Sequence, residues 1–377
     1  MLTKSKIYLS SPHMGGSEQK FVNEAFLTNW IAPLGSNVNG FEQDLKDYIG
    51  GNKYVAALSS GTAAIHMALQ LLGVTNGDEV ICQSFTFSAS ANPIIYQGAV
   101  PVFVDSERDT WNMSPELLEI AIQDRIQKYK KPKAIIAVHL YGMPYKFKEI
   151  NEVARKYNIP VVEDSAEALG SKYHDAFCGT LSDIGVFSFN GNKIITTSGG
   201  GALVVNSQSQ KEKVVFLASQ ARDNAPHYEH STVGFNYRMS NVLAGIGRGQ
   251  MEVLDERVAA RRANFNFYKK HLSNIDGISF LEEPKNFFSN RWITCITTIS
   301  FELREKIRVH LQEELIETRP LWKPMHMQPV FKDCVHFANG VSEDLFNRGL
   351  CLPSGSNLTQ DDLERILHKI IKTLSYK

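Results

Sequence analysis

An α/β fold built on a mostly parallel sheet is what this sequence predicts, and two observations predict it. Between about residue 55 and residue 205, short β-rich runs alternate with helical stretches, the pattern of βαβ units whose sheet is covered on both faces. The residues best suited to chemistry also fall at or just past the ends of such runs, and ligands on a parallel sheet bind at the carboxyl ends of its strands.

Each element follows from its local pattern. The apolar run Tyr54–Leu58 leads into a helix over Thr62–Leu72. Strands are predicted over Glu79–Cys82, Val100–Asp105, Lys133–His139, Pro160–Glu163, Ile184–Phe189 and Gly201–Val205, with helices over Pro115–Lys128 and Phe147–Tyr157 among them. Strand twist makes the crossovers right-handed. After about residue 250 the pattern changes to one long polar helix, Met251–Leu272. Strands over Ile278–Phe280 and Trp292–Phe301, then helices over Glu302–Leu315 and Gln360–Tyr376, follow it. We therefore divide the chain into a large domain, 1–255, and a smaller α+β C-terminal domain, 256–377. The N-terminal segment, up to about residue 30, is expected to run across the surface before the large domain starts.

Composition removes several classes of function. Lys plus Arg and Asp plus Glu both number 40, so the net charge is zero, and 43% of residues are hydrophobic. That balance gives no support for a general nucleic-acid or membrane-surface binder. The cysteines, at 82, 178, 295, 334 and 351, form no C-x-x-C pair and are odd in number, so neither a disulfide framework nor a structural zinc site is expected. No apolar run reaches signal-peptide or membrane-helix length. The expectation is a soluble cytoplasmic protein without a metal.

Three segments carry the candidate chemistry. Ser59-Ser60-Gly61-Thr62 opens a helix after an apolar run. Helix N-termini offer unpaired amides to an anion such as phosphate, although such a sequence also serves as a plain N-cap. The strand Val161-Val162-Glu163 ends in Asp164, a carboxylate able to pair with a protonated pyridine nitrogen or simply to cap a turn. Lys193 lies in the polar loop Ser188-Phe189-Asn190-Gly191-Asn192-Lys193, 29 residues after Asp164. A lysine so placed suits Schiff-base chemistry, which needs its amine deprotonated. Phe87, in Ser84-Phe85-Thr86-Phe87-Ser88, is able to stack on an aromatic ligand or to sit in a core. Each signal is common singly; the order of cradle, carboxylate and lysine is what points to one site.

With these residues in place, the sequence resembles the DegT/StrS family of sugar-nucleotide aminotransferases along nearly its whole length. The resemblance also rests on Thr28–Gly35, Val138–Gly142, Glu163–Gly170 and Gly234–Asn241. It implies the type I fold of pyridoxal 5′-phosphate (PLP) enzymes, with a mostly parallel seven-stranded sheet. By resemblance, Lys193 is the Schiff-base lysine and shuttles protons, and Asp164 faces the pyridine nitrogen. Phe87 stacks on the ring, and Gly61, Thr62 and Ser188 hold the phosphate, to which the Ser60 hydroxyl at the helix start is able to add a hydrogen bond. Asn236 is then a phosphate ligand donated across a homodimer with shared sites. Glu167, where many members carry Gln or His, is expected near the ring oxygen or the amino group; Glu163 reads as structural. Lysine rather than histidine at position 193 favours transamination over the dehydration catalysed by some relatives.

A narrower likeness, in Arg222–His230 and Arg319–His326, points to enzymes acting on UDP-linked 4-keto-6-deoxy-N-acetyl sugars, with L-glutamate as amino donor. Substrate contacts are then expected from Trp30, Ile31, Tyr228, Arg238 and His326, since cations suit a diphosphate and aromatic rings a base or sugar face. A GDP-linked keto-sugar aminotransferase of the perosamine-synthase type and a noncatalytic PLP-fold regulator are the alternatives. A nicotinamide-dependent oxidoreductase is disfavoured, because no G-x-G-x-x-G follows the first strand.

Overall fold

The computed structural model describes residues 5–375. Its strands run in chain order as β1 (Tyr54–Leu58), β2 (Glu79–Gln83), β3 (Val100–Val104), β4 (Ala134–Val138), β5 (Val161–Asp164), β6 (Lys172–Tyr173), β7 (Ala176–Phe177), β8 (Ile184–Ser188) and β9 (Gly201–Val205). The second half adds β10 (Ile278–Phe280), β11 (Phe287–Phe288), β12 (Thr294–Thr298), β13 (Arg319–Pro320), β14 (His336–Phe337) and β15 (Gly349–Leu352).

The main sheet has the order β1-β9-β8-β5-β4-β2-β3-β14. Neighbours from β8 to β14 pair in parallel. Only β9 runs against its neighbours, β1 and β8, so β1 points the same way as β8. The large domain supplies the expected seven strands. An eighth comes from the C-terminal part, where His336 and Phe337 pair with Phe103 and Val104 at the β3 edge. Two residues are too few to leave a period-2 signal, and covering an open edge needs no more.

Alternate residues of these strands enter different cores. Val80 and Cys82 pack with Ile65, Met67 and Leu69 of the helix Gly61–Leu71. Ile81, between them, packs with Leu118 and Ile122 of the helix Pro115–Lys128 and Ile150 of the helix Phe147–Lys156. Both faces of the sheet are dry, which accounts for the unbroken apolar runs.

The C-terminal part builds a four-stranded sheet ordered β10-β12-β15-β13. The helix Gln360–Ser375 packs on it through Leu363, Ile366, Leu367 and Ile370, a stripe at helical spacing. Of the predicted helix Gln360–Tyr376, Tyr376 lies outside the described residues.

Two expectations change. The helix predicted over Met251–Leu272 is two: Met251 ends Asn241–Met251, and Leu254–Leu272 begins anew. The earlier helix holds Gly245, Gly247 and Gly249, which propensity discounts. A side chain at Gly249 would lie 2.6 Å from Glu18 N, so the glycines permit close packing against the N-terminal region. Nor is that region a surface trace: Glu18–Leu27 is a helix, Phe21 and Ala25 are buried, and Ile7 bridges Ile316. The expected division near residue 255 falls at the start of the helix Leu254–Leu272. Leu254 and Val258 join the large-domain core, and Tyr268 and Leu272 the smaller one.

Candidate active site

Because β1, β2, β5 and β8 point the same way, the loops after them converge at one edge of the sheet. After β1, Ser60 adopts extended backbone and caps the helix Gly61–Leu71, its Oγ accepting from Ala63 N at 3.0 Å. That leaves the first-turn amides before it for a ligand. Space for the loop comes from glycine. A Cβ on Gly201 would sit 2.4 Å from Ser60 C and 2.5 Å from Gly61 N, and one on Gly61 would approach Ser188 Cβ to 3.0 Å.

Asp164 ends β5 and is buried. Its Oδ2 accepts from Ser90 Oγ at 2.6 Å, its Oδ1 accepts from Ala166 N at 3.1 Å, and Ser90 is in turn held by Thr86 at 2.8 Å. These bonds fix the carboxylate while leaving lone pairs free. The adjacent Glu163 points to the other face of the strand. It bonds His139 Nε2 at 2.7 Å and accepts from the amides of Gly179, Leu181 and Ser182. With Cys178, these residues group three metal-type donors, but the Glu163 oxygens are already engaged in holding the 179–182 loop.

Lys193 follows β8 in a loop tied down from several sides. Asn192 O accepts from Trp292 Nε1 at 2.7 Å and Ser10 Oγ at 2.8 Å, while the buried Arg261 reaches Trp292 O at 2.6 Å and Lys193 O at 3.5 Å. The Lys193 ammonium lies 3.4 Å from Glu167 Oε1 and 4.3 Å above the centre of the Trp292 ring. Glu167 Oε2 accepts from Tyr141 N at 2.7 Å. Burial pushes the Glu167 carboxyl up to about 7, against the opposing pull of Lys193.

These groups line a cavity of about 860 Å³, of the size that takes a cofactor and a substrate together. Ser60, Gly61, Thr62, Phe87, Asp164, Glu167, Ser188 and Lys193, all anticipated from sequence, line it together. Trp292, Tyr141 and Ser90 line it too and were not anticipated as site residues. Trp292 arrives 99 positions after Lys193 without a local motif. Tyr141 carries only a positive φ of 54°, which sequence does not display for a tyrosine.

The expected substrate residues fall elsewhere. Arg238 is buried, with Nη1 bonded to Glu42 Oε1 at 2.8 Å and Ala57 O at 2.9 Å, and does not line the cavity. An internal carboxylate has claimed its charge. His326 also stands off the cavity, 2.6 Å from Ser84 Oγ and stacked on His336, with burial lowering its proton affinity. Trp30, Ile31 and Tyr228 are exposed and do not line the cavity, and Asn236, bridged to Ser219, does not line it either. Glu317, Arg319, Trp322 and Lys323 line it instead, with Arg319 paired to Glu317 at 2.9 Å.

A mainly parallel α/β sheet with a loop lysine, a strand-end carboxylate and a helix N-terminus around one cavity defines a PLP-dependent enzyme. The chain belongs to the DegT/DnrJ/EryC1/StrS aminotransferase family, whose sequence profile matches residues 12–371. It is 54% identical over 370 residues to EpsN of Bacillus subtilis (strain 168), assigned by its name to the pyridoxal phosphate-dependent aminotransferases; 97% of this chain and 95% of that one are covered. Identity to the GDP-perosamine synthase of Escherichia coli O157:H7 is 38% over 366 residues, covering 97% and 98%. The fold is similar to the crystal structure of a DegT DnrJ EryC1 StrS aminotransferase from Brucella abortus, with a TM-score of 0.89, 28% identity and 95% of each chain covered. The protein is thus a PLP-dependent sugar aminotransferase.

The residues present fit this cofactor. The Gly61–Ser188 gap is a cradle that an added Cβ would crowd, Asp164 is a buried carboxylate with acceptor capacity to spare, and Lys193 is the one lysine besides Lys323 among the lining residues. Among the described residues, no helix is long and apolar enough to cross a membrane.

Proposed function

We propose that the protein transfers an amino group from L-glutamate to C4 of a UDP-linked 4-keto-6-deoxy-N-acetyl sugar, in the cytoplasm. The observation that carries this reading is the convergence of Lys193, Asp164 and Glu167 on one cavity that the cation Lys323 also lines. Both substrates are anionic, and both are read as entering that cavity in turn, which predicts ping-pong kinetics.

Bound PLP supplies a carbonyl that exchanges amines and a ring that accepts electrons from the carbon being deprotonated. In this reading Lys193 anchors the cofactor and later moves protons at the reacting carbon, held in place by its tied loop. Asp164 keeps the pyridine nitrogen protonated. Ser60, Gly61, Thr62 and Ser188 bind the phosphate, and Phe87 covers the ring. Lys323 attracts the diphosphate, and Trp322, its ring 5.5 Å from that of Phe87, stands beside it.

The GDP-linked alternative has a specific observation in its favour, the 38% identity to a GDP-perosamine synthase. Purified protein given glutamate with each UDP- or GDP-linked 4-keto-6-deoxy sugar decides between them. Amine formed at C4 on the UDP-linked N-acetyl sugar, seen by mass spectrometry and NMR, supports the first reading. Amination of the GDP-linked sugar in its stead overturns it.

Shared sites in a homodimer are part of the same proposal. Trp30, Ile31, Leu34 and Val233 are large apolar residues left exposed, as an interface would require, and Asn236 is free to serve a partner's cavity. Mixing inactive Asn236→Ala and Lys193→Ala subunits should restore up to about a quarter of the sites, since a site lacking both defects forms when the two altered positions fall together in the other site of a mixed dimer. No recovery of activity after subunit exchange would count against sharing.

A further inference from the structure

We propose that Glu167 is the proton-exchange partner of Lys193, taking the proton that the lysine ammonium must lose before its amine can attack a carbonyl and returning it afterwards. This rests on the reading of Lys193 as the cofactor-anchoring lysine. The step balances within the pair: ammonium and carboxylate become amine and carboxylic acid, and one proton crosses one hydrogen bond.

Three features of the structure argue for it. Glu167 is buried, and its Oε1 lies 3.4 Å from Lys193 Nζ, so the proton moves without passing through water. Its other oxygen is pinned by Tyr141 N, on a residue held at φ 54°, and its backbone carbonyl accepts from Asn290 Nδ2 at 2.8 Å. One carboxyl oxygen is thus fixed by the amide of a residue in the left-handed region, and the main chain that carries the side chain is tied separately, which holds Oε1 toward the lysine. Trp292 covers the lysine from another side, its ring centre 4.3 Å from Nζ, and limits competition from solvent.

The charge around Glu167 fits the same role. Burial favours its acid form and Lys193 its anion, leaving the carboxyl at about 7, where giving and taking a proton are both inexpensive. The titratable groups facing it are Lys193 after β8, Asp164 on β5, Tyr141 after β4 and Cys295 on β12, with Cys351 of β15 next to Cys295. Asp164 raises its affinity for the proton. Tyr141 and Cys295 are held neutral by burial through the physiological range, which leaves Lys193 as the proton donor to Glu167. A glutamine at this position would fill the same space without accepting a proton.

The test is the rate at which enzyme stripped of its cofactor takes up added PLP, followed by visible absorbance from pH 5 to 9, because that step needs the Lys193 amine freed of its proton. Glu167→Gln should load roughly 10- to 100-fold more slowly than the native enzyme near neutral pH, and Glu167→Asp should keep most of the native rate. The half-reaction with glutamate should slow roughly 10- to 100-fold in Glu167→Gln, with its KM for glutamate nearly unchanged. A Glu167→Gln loading profile that overlays the native one overturns the proposal. Lys193→Ala separates the two readings: if it keeps the native absorbance band, the assignment of Lys193 itself is wrong, whatever Glu167 does.

Discussion

Lys193→Ala is expected to lose the visible band of the lysine-bound cofactor and to slow turnover on the order of a thousandfold or more, because one group both anchors the cofactor and moves the proton. The geometry offers no understudy. Of the other residues lining the cavity, Lys323 carries the second primary amine, and it lies with Trp322, in the segment 319–323, rather than beside Glu167. Folding should survive the change. The loop is held through Asn192 O by Trp292 and Ser10, and through the backbone carbonyl of residue 193 by Arg261, and an alanine keeps those atoms. Absorbance of the purified variant, before and after adding glutamate, together with its thermal melt, checks both halves. A variant that retains the native band and rate would remove Lys193 from the mechanism.

Asp164→Asn should give the second-largest effect. The substitution keeps the shape, and an amide is able to hold the bonds from Ser90 Oγ at 2.6 Å and Ala166 N at 3.1 Å in part. It removes the negative charge. A charge-assisted hydrogen bond contributes about 1.5–3 kcal/mol, so PLP affinity should fall roughly 10- to 100-fold. Proton abstraction from glutamate should slow as well, because the ring is no longer kept cationic. Equilibrium dialysis of PLP and single-turnover absorbance with glutamate measure the two losses separately. An unchanged affinity together with an unchanged rate would show that Asp164 merely caps the turn after β5.

The reach of sequence reasoning differs along the chain. Where a residue's role is set by its neighbours in sequence, the reading and the structure coincide. Ser60 caps a helix because an apolar strand precedes it and an apolar helix follows. Asp164 ends β5 because Val161 and Val162 fill it. Where a role depends on packing, the reading had nothing to work on. The helix Asn241–Met251 contains glycines at 245, 247 and 249, which count against a helix until the residues pressed against them are known. Arg238 has the chemistry of a phosphate ligand, but Glu42, 196 positions away in sequence, has already paired with it.

The sequence by itself determined the α/β class, and it singled out a lysine, a strand-end carboxylate and a helix start that the structure brings to one cavity. Those follow from local periodicity and from residue types that few other chemistries need in that order. Tertiary structure decided what surrounds them. It set Trp292 and Arg261 about the lysine, Tyr141 N on Glu167, and Arg319 and Lys323 along the cavity. It also took His326 and Arg238 away from the cavity. The reason is physical: strand and helix formation are governed by neighbours a few residues apart. The environment that tunes the buried Glu167 carboxyl is assembled from Tyr141 and Lys193, each 26 residues away on a different loop, joined only when the sheet closes over its core.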